Sequence, residues 1–152
     1  MKKLLLVLLA VVLLGGVAQA QVFKLSLWGD ICVPNEDYTG GLEIAIGTET
    51  QAVDGVQLAF IYAQADKLRG FQSALVSSTK DGQGVQWSFL NLSEKFQGVQ
   101  LGWINMSEDM TGLQFGLVNY TENMNGLQLG FINIIKNNPN FLPVFVFFNF
   151  CF

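Results

Sequence analysis

From residue 41 onwards, apolar and polar residues alternate in a pattern that returns every 14 residues. Each unit opens on a glycine, and five of the six steps between glycines are 14 residues while one is 15: Gly41, Gly55, Gly70, Gly84, Gly98, Gly112 and Gly126. With the glycine as column 1, columns 2, 4 and 6 are apolar apart from Ser73, column 3 is Gln or Glu, and column 5 is Gly, Ala or Ser. Such alternation predicts a β-strand.

The second half of each unit has a different character. Column 7 is apolar again, which indicates a bend, and columns 8 to 12 carry turn-forming residues and most of the charge. Each unit is therefore predicted to be one strand, a corner, and a second short strand or turn. Because every unit has the same connections, a parallel stack is favoured, and the fold class is predicted to be all-β, a β-solenoid of about seven 14-residue coils.

The alternative fold is a small antiparallel outer-membrane β-barrel whose apolar columns face lipid. It would explain the high apolar content and the aromatic C-terminal tail. However, the alternating segments are roughly five residues long, and a membrane-spanning strand needs about 9–11. The sequence also lacks the two-strand period that unequal turns at the two ends of a barrel would produce. The solenoid is the preferred prediction.

Stacking places equivalent columns about 4.8 Å apart, so that side-chain amides in one column can bond to those above and below. The sequence predicts a glutamine ladder in column 3, formed by Gln57, Gln72, Gln86, Gln100, Gln114 and Gln128. It predicts an asparagine ladder in column 8 of the last four units, formed by Asn91, Asn105, Asn119 and Asn133. The aromatic members of column 6 (Phe60, Phe89, Trp103 and Phe131) are expected to be core, with an exposed binding stripe as the alternative.

The segments outside the array have their own signatures. Lys2 and Lys3, the apolar run 4–14 and the small-residue ending at Ala20 predict a signal peptide over 1–20, and hence export. Residues 21–40 are interpreted as an N-terminal cap strand region, 41–138 as the repeat array, and 139–152 as an apolar C-terminal strand. This strand is hypothesised to pair with another copy, because an uncovered strand edge promotes association.

Charge and cysteine content narrow the classes of partner. Without Lys2 and Lys3, six basic residues face twelve acidic ones, a net charge of −6. This balance argues against nucleic acid and anionic lipid headgroups as partners, since both reward clustered Lys and Arg. Cys32 and Cys151 lie near the two ends of the chain. Whether they form a disulfide depends on the fold.

The sequence offers little for catalysis. It contains no His, which excludes His-dependent catalytic triads and His-ligated metal sites. It also has no nucleotide-binding motif. Glu94, Glu108 and Glu122 share one column and form a candidate surface acidic column. Its preferred interpretation is a solvated face, with Ca²⁺ binding as the alternative. No catalytic residue, cofactor or metal is predicted.

The units GVQLGWIN, GLQFGLVN and GLQLGFIN resemble a family of bacterial surface-repeat proteins built on Gly-Leu-Gln-x-Gly-x-x-Asn. The resemblance covers about residues 41–133 and implies an exported β-repeat protein, without an assigned activity. A weaker likeness is to curli-type repeats, which share Gln-x-Gly-x-x-Asn, although the period here is much shorter.

Together these observations predict a non-enzymatic exported envelope or surface repeat protein with a structural, adhesive or self-associating role. The expected partners are another copy or another envelope component, with membrane association as a further option and no nucleic acid. The expected location is the cell surface, outer membrane or periplasm. The alternatives are the outer-membrane barrel and a carbohydrate-binding or carbohydrate-active β-helix, which would need a pair of carboxylates in a groove.

Overall fold

A computed structural model describes residues 23–28, 31–34 and 36–152, and these residues form strands, bends and turns with no helix. The strands are β1 Phe23–Trp28, β2 Ile31–Val33, β3 Tyr38–Thr39, β4 Leu42–Leu101, β5 Ile104–Ile135 and β6 Val144–Cys151. No helix within this part of the chain is long and apolar enough to cross a membrane. The predicted signal peptide lies outside the described residues.

β4 and β5 are far longer than ordinary strands because they wind repeatedly around one axis. β4 pairs with β5 in parallel, and each residue lies beside the one 14 positions later, from Leu90 opposite Ile104 to Leu101 opposite Phe115. The chain is therefore a β-solenoid with one unit per coil, as predicted, and the antiparallel alternative is wrong. Below, the coils are numbered from the one that begins at Gly41 to the seventh, which begins at Gly126.

The glycines of column 1 allow neighbouring coils to approach closely. Gly112 has a φ of 127°, a conformation that side chains rarely adopt, and a Cβ atom there would lie 2.1 Å from the carbonyl oxygen of Gly98 in the preceding coil. Column 5 is equally tight, since a Cβ on Gly116 would lie 2.4 Å from the Gly102 oxygen. These contacts explain why column 1 is always glycine and column 5 always small.

The coils bury their polar columns and expose their apolar ones. Columns 3, 8 and 10 point inward and carry mainly Gln, Asn, Ser and Thr, whereas columns 4 and 6 point outward. Buried apolar side chains are concentrated at the corner formed by column 13, where Phe96, Met110 and Met124 follow one another in successive coils. The expectation that the aromatic column 6 is core is wrong, because its large side chains lie on the outside.

Both ends of the stack are closed by antiparallel strands. β1 continues the parallel stack ahead of the first coil, with Leu25 beside Ile44, and β2 pairs antiparallel with β1. At the other end, β6 pairs antiparallel with the seventh coil, from Val144 opposite Ile134 to Cys151 opposite Gly126. The described part of the predicted cap region 21–40 thus contains β1, β2 and β3, and the predicted tail strand corresponds to β6.

The outer edge of β6 is covered by the loop that precedes it. Asn138 donates its side-chain amide to the Phe150 carbonyl oxygen (3.0 Å), and Asn140 donates to the Phe152 carbonyl oxygen (2.7 Å). Asn149, which is buried, donates to the Leu142 carbonyl oxygen (3.1 Å). The carbonyl oxygens of Phe150 and Phe152, which would otherwise be available to another strand, are thereby bonded to side chains of the loop.

Candidate functional site: polar ladders inside, an apolar face outside

The six glutamines of column 3 form one continuous hydrogen-bonded ladder inside the stack. Each is fully buried, and from Gln72 onwards each donates its Nε2 group to the Oε1 atom of the glutamine in the coil before it, at 2.7–2.8 Å. The ladder therefore runs through the second to the seventh coil with every amide pointing the same way. A buried amide costs free energy unless it is bonded, and here the repeat itself supplies the partner.

A buried ion pair terminates this ladder at its N-terminal end. Gln57 donates to Glu43 Oε2 (3.1 Å), and Glu43 lies 3.6 Å from the ammonium group of Lys24. Both charged side chains are buried, and Glu43 also accepts hydrogen bonds from Ser26, Thr39, Thr48 and Thr50. The donors of the ladder thus end on a carboxylate, which accepts but does not donate.

The asparagines of column 8 form a second ladder with the opposite direction. Asn91, Asn105 and Asn119 each donate Nδ2 to the Oδ1 atom of the asparagine in the following coil, at 2.7–2.8 Å. Asn133 ends the series by donating to the Gly130 carbonyl oxygen (2.8 Å). Among the described residues, the buried polar side-chain atoms without a hydrogen-bond partner are Asn91 Oδ1 and Gln128 Oε1, the acceptor ends of the two ladders.

Hydroxyl groups in column 10 link the glutamine ladder to the opposite wall. Gln86 donates to Thr79 Oγ1 (2.8 Å) and Gln100 to Ser93 Oγ (3.0 Å), while Ser107 donates to Gln100 Oε1 (2.8 Å). The two walls of each coil are therefore joined by polar contacts across much of the interior. The ladder residues are partners of one another and are not available to a ligand.

The opposite side of the same strands presents a broad apolar surface, which we call the outer face. It is formed by the side chains of columns 4 and 6, with column 2 half-buried along its margin. Phe60 is 81% exposed, Trp87 62% and Trp103 58%. A surface of large apolar side chains this extensive is unusual on a soluble monomer and is typical of an interaction site.

Within columns 4 and 6 the outer face carries no charged residue, and its one polar side chain is internally bonded. Ser73 is the exception to the apolar pattern of column 4, and its hydroxyl donates to the Trp87 carbonyl oxygen (2.7 Å). Phe89 and Trp103 stack on each other with ring centroids 5.3 Å apart. The face therefore offers apolar contact and almost no hydrogen-bonding capacity.

The two ends of the outer face differ in chemistry and shape. Around β1 and β2 the face is aliphatic and concave, with Leu25, Leu27, Ile31 and Val33 beside the first coil, where they line an apolar groove of about 800 Å³. From the fourth coil onwards it is largely aromatic, and at the β6 end the rings of Phe131 and Phe147 meet edge to face, 6.3 Å apart. The face thus passes from an aliphatic groove to an aromatic ridge.

The candidate acidic column lies on a different surface, in column 11. Glu94 and Glu108 are exposed and Glu122 is half-buried, and all three border a shallow pocket of about 460 Å³. Lys136 donates to Glu122 (2.8 Å), and in the same column Lys80 pairs with Asp66 (2.9 Å). The column therefore mixes both signs of charge, and among the described residues no group of three or more His, Cys, Asp or Glu is arranged to hold a metal.

Ion pairing changes the pKa of two lysines on this charged surface. The hydrogen bond to Asp66 raises the pKa of Lys80 above its usual 10.5, and the hydrogen bond to Glu122 raises the pKa of Lys136.

Cys32 lies in β2 and Cys151 in β6, at opposite ends of the stack. The two cysteines are therefore too far apart to act together in one site.

The sequence-based prediction misses two features of the site, namely the outward orientation of columns 4 and 6 and the buried ion pair of Lys24 and Glu43. The orientation of the strands could have been read from column 4, which varies from Ser73 to Trp87, a range of volumes that a close-packed core does not tolerate. The buried pair of Lys24 and Glu43 had a weaker signal, namely the replacement of Gln by Glu in the first unit.

Comparison with known proteins gives no match to a protein-family model, to a curated protein or to a solved structure.

Proposed function

We propose that this protein is an exported, non-enzymatic structural protein of the cell envelope that associates through its outer face. The observation that carries the proposal is the inversion of the coils: the polar columns bond to one another inside, which leaves the apolar columns for contact with something else. Exposed apolar area of this kind is stabilised by being covered.

The remaining polar groups support a structural role. Glu43, a carboxylate buried beside a cation, accepts bonds from five neighbouring side chains besides that cation and has no face open to a substrate. The half-buried carboxylates Asp66 and Glu122 are paired with lysines along the coil edges. A nucleophile with an adjacent base, or a carboxylate pair across a groove, would support an enzyme instead.

The test is to remove the apolar character of the outer face in cells that export the protein. The variant carries three lysines on column 6: Phe60→Lys, Phe89→Lys and Trp103→Lys. Its matched control adds the same charge at exposed column 14 positions on the edge of the coils: Gln83→Lys, Gln97→Lys and Thr111→Lys. Far-UV circular dichroism establishes that both variants keep the β-stack.

The readout is fractionation of the cells followed by native electrophoresis. We expect the unchanged protein and the control to sediment with the envelope or to migrate as an assembly, and the outer-face variant to be recovered as a soluble monomer. If the outer-face variant distributes in the same way as the unchanged protein, association through this face is wrong. Loss of association in the control as well would point to charge rather than to the face.

A further inference from the structure

The outer face has the extent, the relief and the charge distribution to pack against a second copy of itself. Resting on the proposed function, we propose that two copies of this chain pair face to face with their stacks running in opposite directions. The two-fold axis then lies along the strands, between the third and fourth coils. Such an isologous contact closes and gives a discrete dimer.

The area of the face matches what a stable dimer requires. The stack from β2 to β6 contains about ten strands at about 4.8 Å spacing, and columns 2 to 6 span about 16 Å, so one copy offers roughly 800 Å². Two copies would bury roughly 1,600 Å² in total, which is the size of a standard specific interface. The sheets would lie about 10 Å apart, as in a β-sandwich.

Side-chain sizes along the stack are complementary under this two-fold axis. It places the third coil against the fourth, so that Ser73 faces Trp87 and Leu75 faces Phe89. Further out, the aliphatic strand β1 faces the seventh coil, and Leu27 meets Phe131. Large side chains thus face smaller ones at the centre and at both ends of the face, where the aromatic ridge of one copy enters the aliphatic groove of the other. Between these levels, Phe60 of the second coil faces Trp103 of the fifth, so that two aromatic rings meet.

The other face-to-face arrangement lacks this fit. With the axis along the stack, every coil faces its own counterpart, so Trp87 would meet Trp87 or Phe89 while Ser73 would meet Ser73 or Leu75, depending on the column over which the axis lies. The first contact is crowded and the second leaves a gap, and both cost free energy in a close-packed interface. The antiparallel arrangement is therefore the one that the sequence of the face favours.

The distribution of charge is compatible with a second copy on this face. Without Lys2 and Lys3 the chain carries a net charge of −6, which opposes anionic headgroups. The charged columns 11 and 12 lie away from columns 4 and 6, so two copies can meet without placing like charges in contact.

Analytical ultracentrifugation of the purified chain from residue 21 tests the proposal. We expect a dimer, and we expect Leu27→Lys or Phe131→Glu alone to raise its dissociation constant at least about 30-fold, because each leaves a buried charge without a partner. Mixing the two variants brings the introduced lysine opposite the introduced glutamate at one end of the dimer and leaves the other end unchanged. The mixture should recover dimers to within roughly tenfold of the original dissociation constant.

The matched control is a mixture of Leu27→Lys with Leu75→Glu, which places the two charges far apart in the antiparallel arrangement and should not recover dimers. A monomeric protein at all concentrations overturns the dimer, and a dimer without recovery on mixing overturns its direction. A monomer in solution combined with face-dependent association in cells would leave the proposed function standing and show that the partner is another molecule. Failure of both experiments would end both proposals.

Discussion

Gln100 and Trp103 stand three residues apart in the same coil, and the folded chain treats them in opposite ways. Gln100 is fully buried, whereas Trp103 is more than half exposed. The difference does not follow hydropathy; it follows whether a polar group finds a hydrogen-bond partner at the repeat distance. Gln100 bonds to an identical amide above and below it, whereas Trp103 needs no such partner, stacks on Phe89 and keeps its outer side exposed. A translational repeat can therefore carry a polar interior, provided that each polar column bonds to itself.

The largest effect is expected where the coils touch through backbone. Gly112→Ala would place a methyl group 2.1 Å from the Gly98 carbonyl oxygen at a φ of 127°. Because neither strain is easily relieved, we expect the free energy of unfolding to fall by more than about 4 kcal/mol, or the stack not to form. Urea denaturation followed by circular dichroism measures this loss. The neighbouring exposed substitution Thr111→Ala should change stability by less than about 0.5 kcal/mol.

The next largest loss of stability is expected for a substitution inside the glutamine ladder. Gln100→Leu keeps the side-chain volume but leaves Gln86 Oε1 without its donor and removes the Oε1 acceptor of Gln114 Nε2 and Ser107 Oγ. Since each buried unbonded group costs about 1–3 kcal/mol, the free energy of unfolding should fall by about 3–5 kcal/mol. The exposed Gln97→Leu is the control and should have little effect. Equal losses in the two variants would show that the ladder does not stabilise the stack.

An exposed and a buried aromatic residue should lose different amounts of stability on truncation. We expect Trp103→Thr to lower the stability of the monomer by about 1 kcal/mol, mainly through the lost stacking with Phe89. Phe96→Thr, at the buried column 13 corner, should cost about 3–5 kcal/mol. The measurement is thermal or urea unfolding at a concentration where the protein is monomeric. Equal costs would contradict the assignment of Trp103 to the outside.

The smallest effect concerns the charged edge. The hydrogen bond to Asp66 raises the pKa of Lys80 above its unfolded value of 10.5. A raised lysine pKa stabilises the fold below pH 10.5, and this contribution is lost as the pH rises through the folded pKa. Lys80→Met should therefore remove part of the alkaline loss of stability. Unfolding midpoints between about pH 8 and about pH 11.5 for both proteins provide the check, and identical pH profiles would contradict it.

The repeat period, the parallel stack and the pairing of like columns could be predicted, because all three follow from one spacing that is visible in the sequence. The proximity of Gln100 to Gln114 needs only the number 14. Which side of the strand faces inward could not be obtained from alternation alone, since both sides alternate equally well. General experience places Trp103 inside and Gln100 outside, and here the ladder reverses that preference. The antiparallel pairing of β2 and β6 with their neighbours could not be predicted either, because both strands lie outside the repeat.

The opposed directions of the two amide ladders bear on how such an array changes length during evolution. A single ladder accumulates an aligned dipole with every unit that is added, and the burden grows with the array. In the fourth to the seventh coils the glutamine amides point toward the first coil and the asparagine amides point away from it, so each unit contributes two largely cancelling dipoles. Duplicating or deleting one 14-residue unit there leaves the termini and their caps as they were. The ladders therefore allow the array to change length by whole units, and the outer face lengthens or shortens with it.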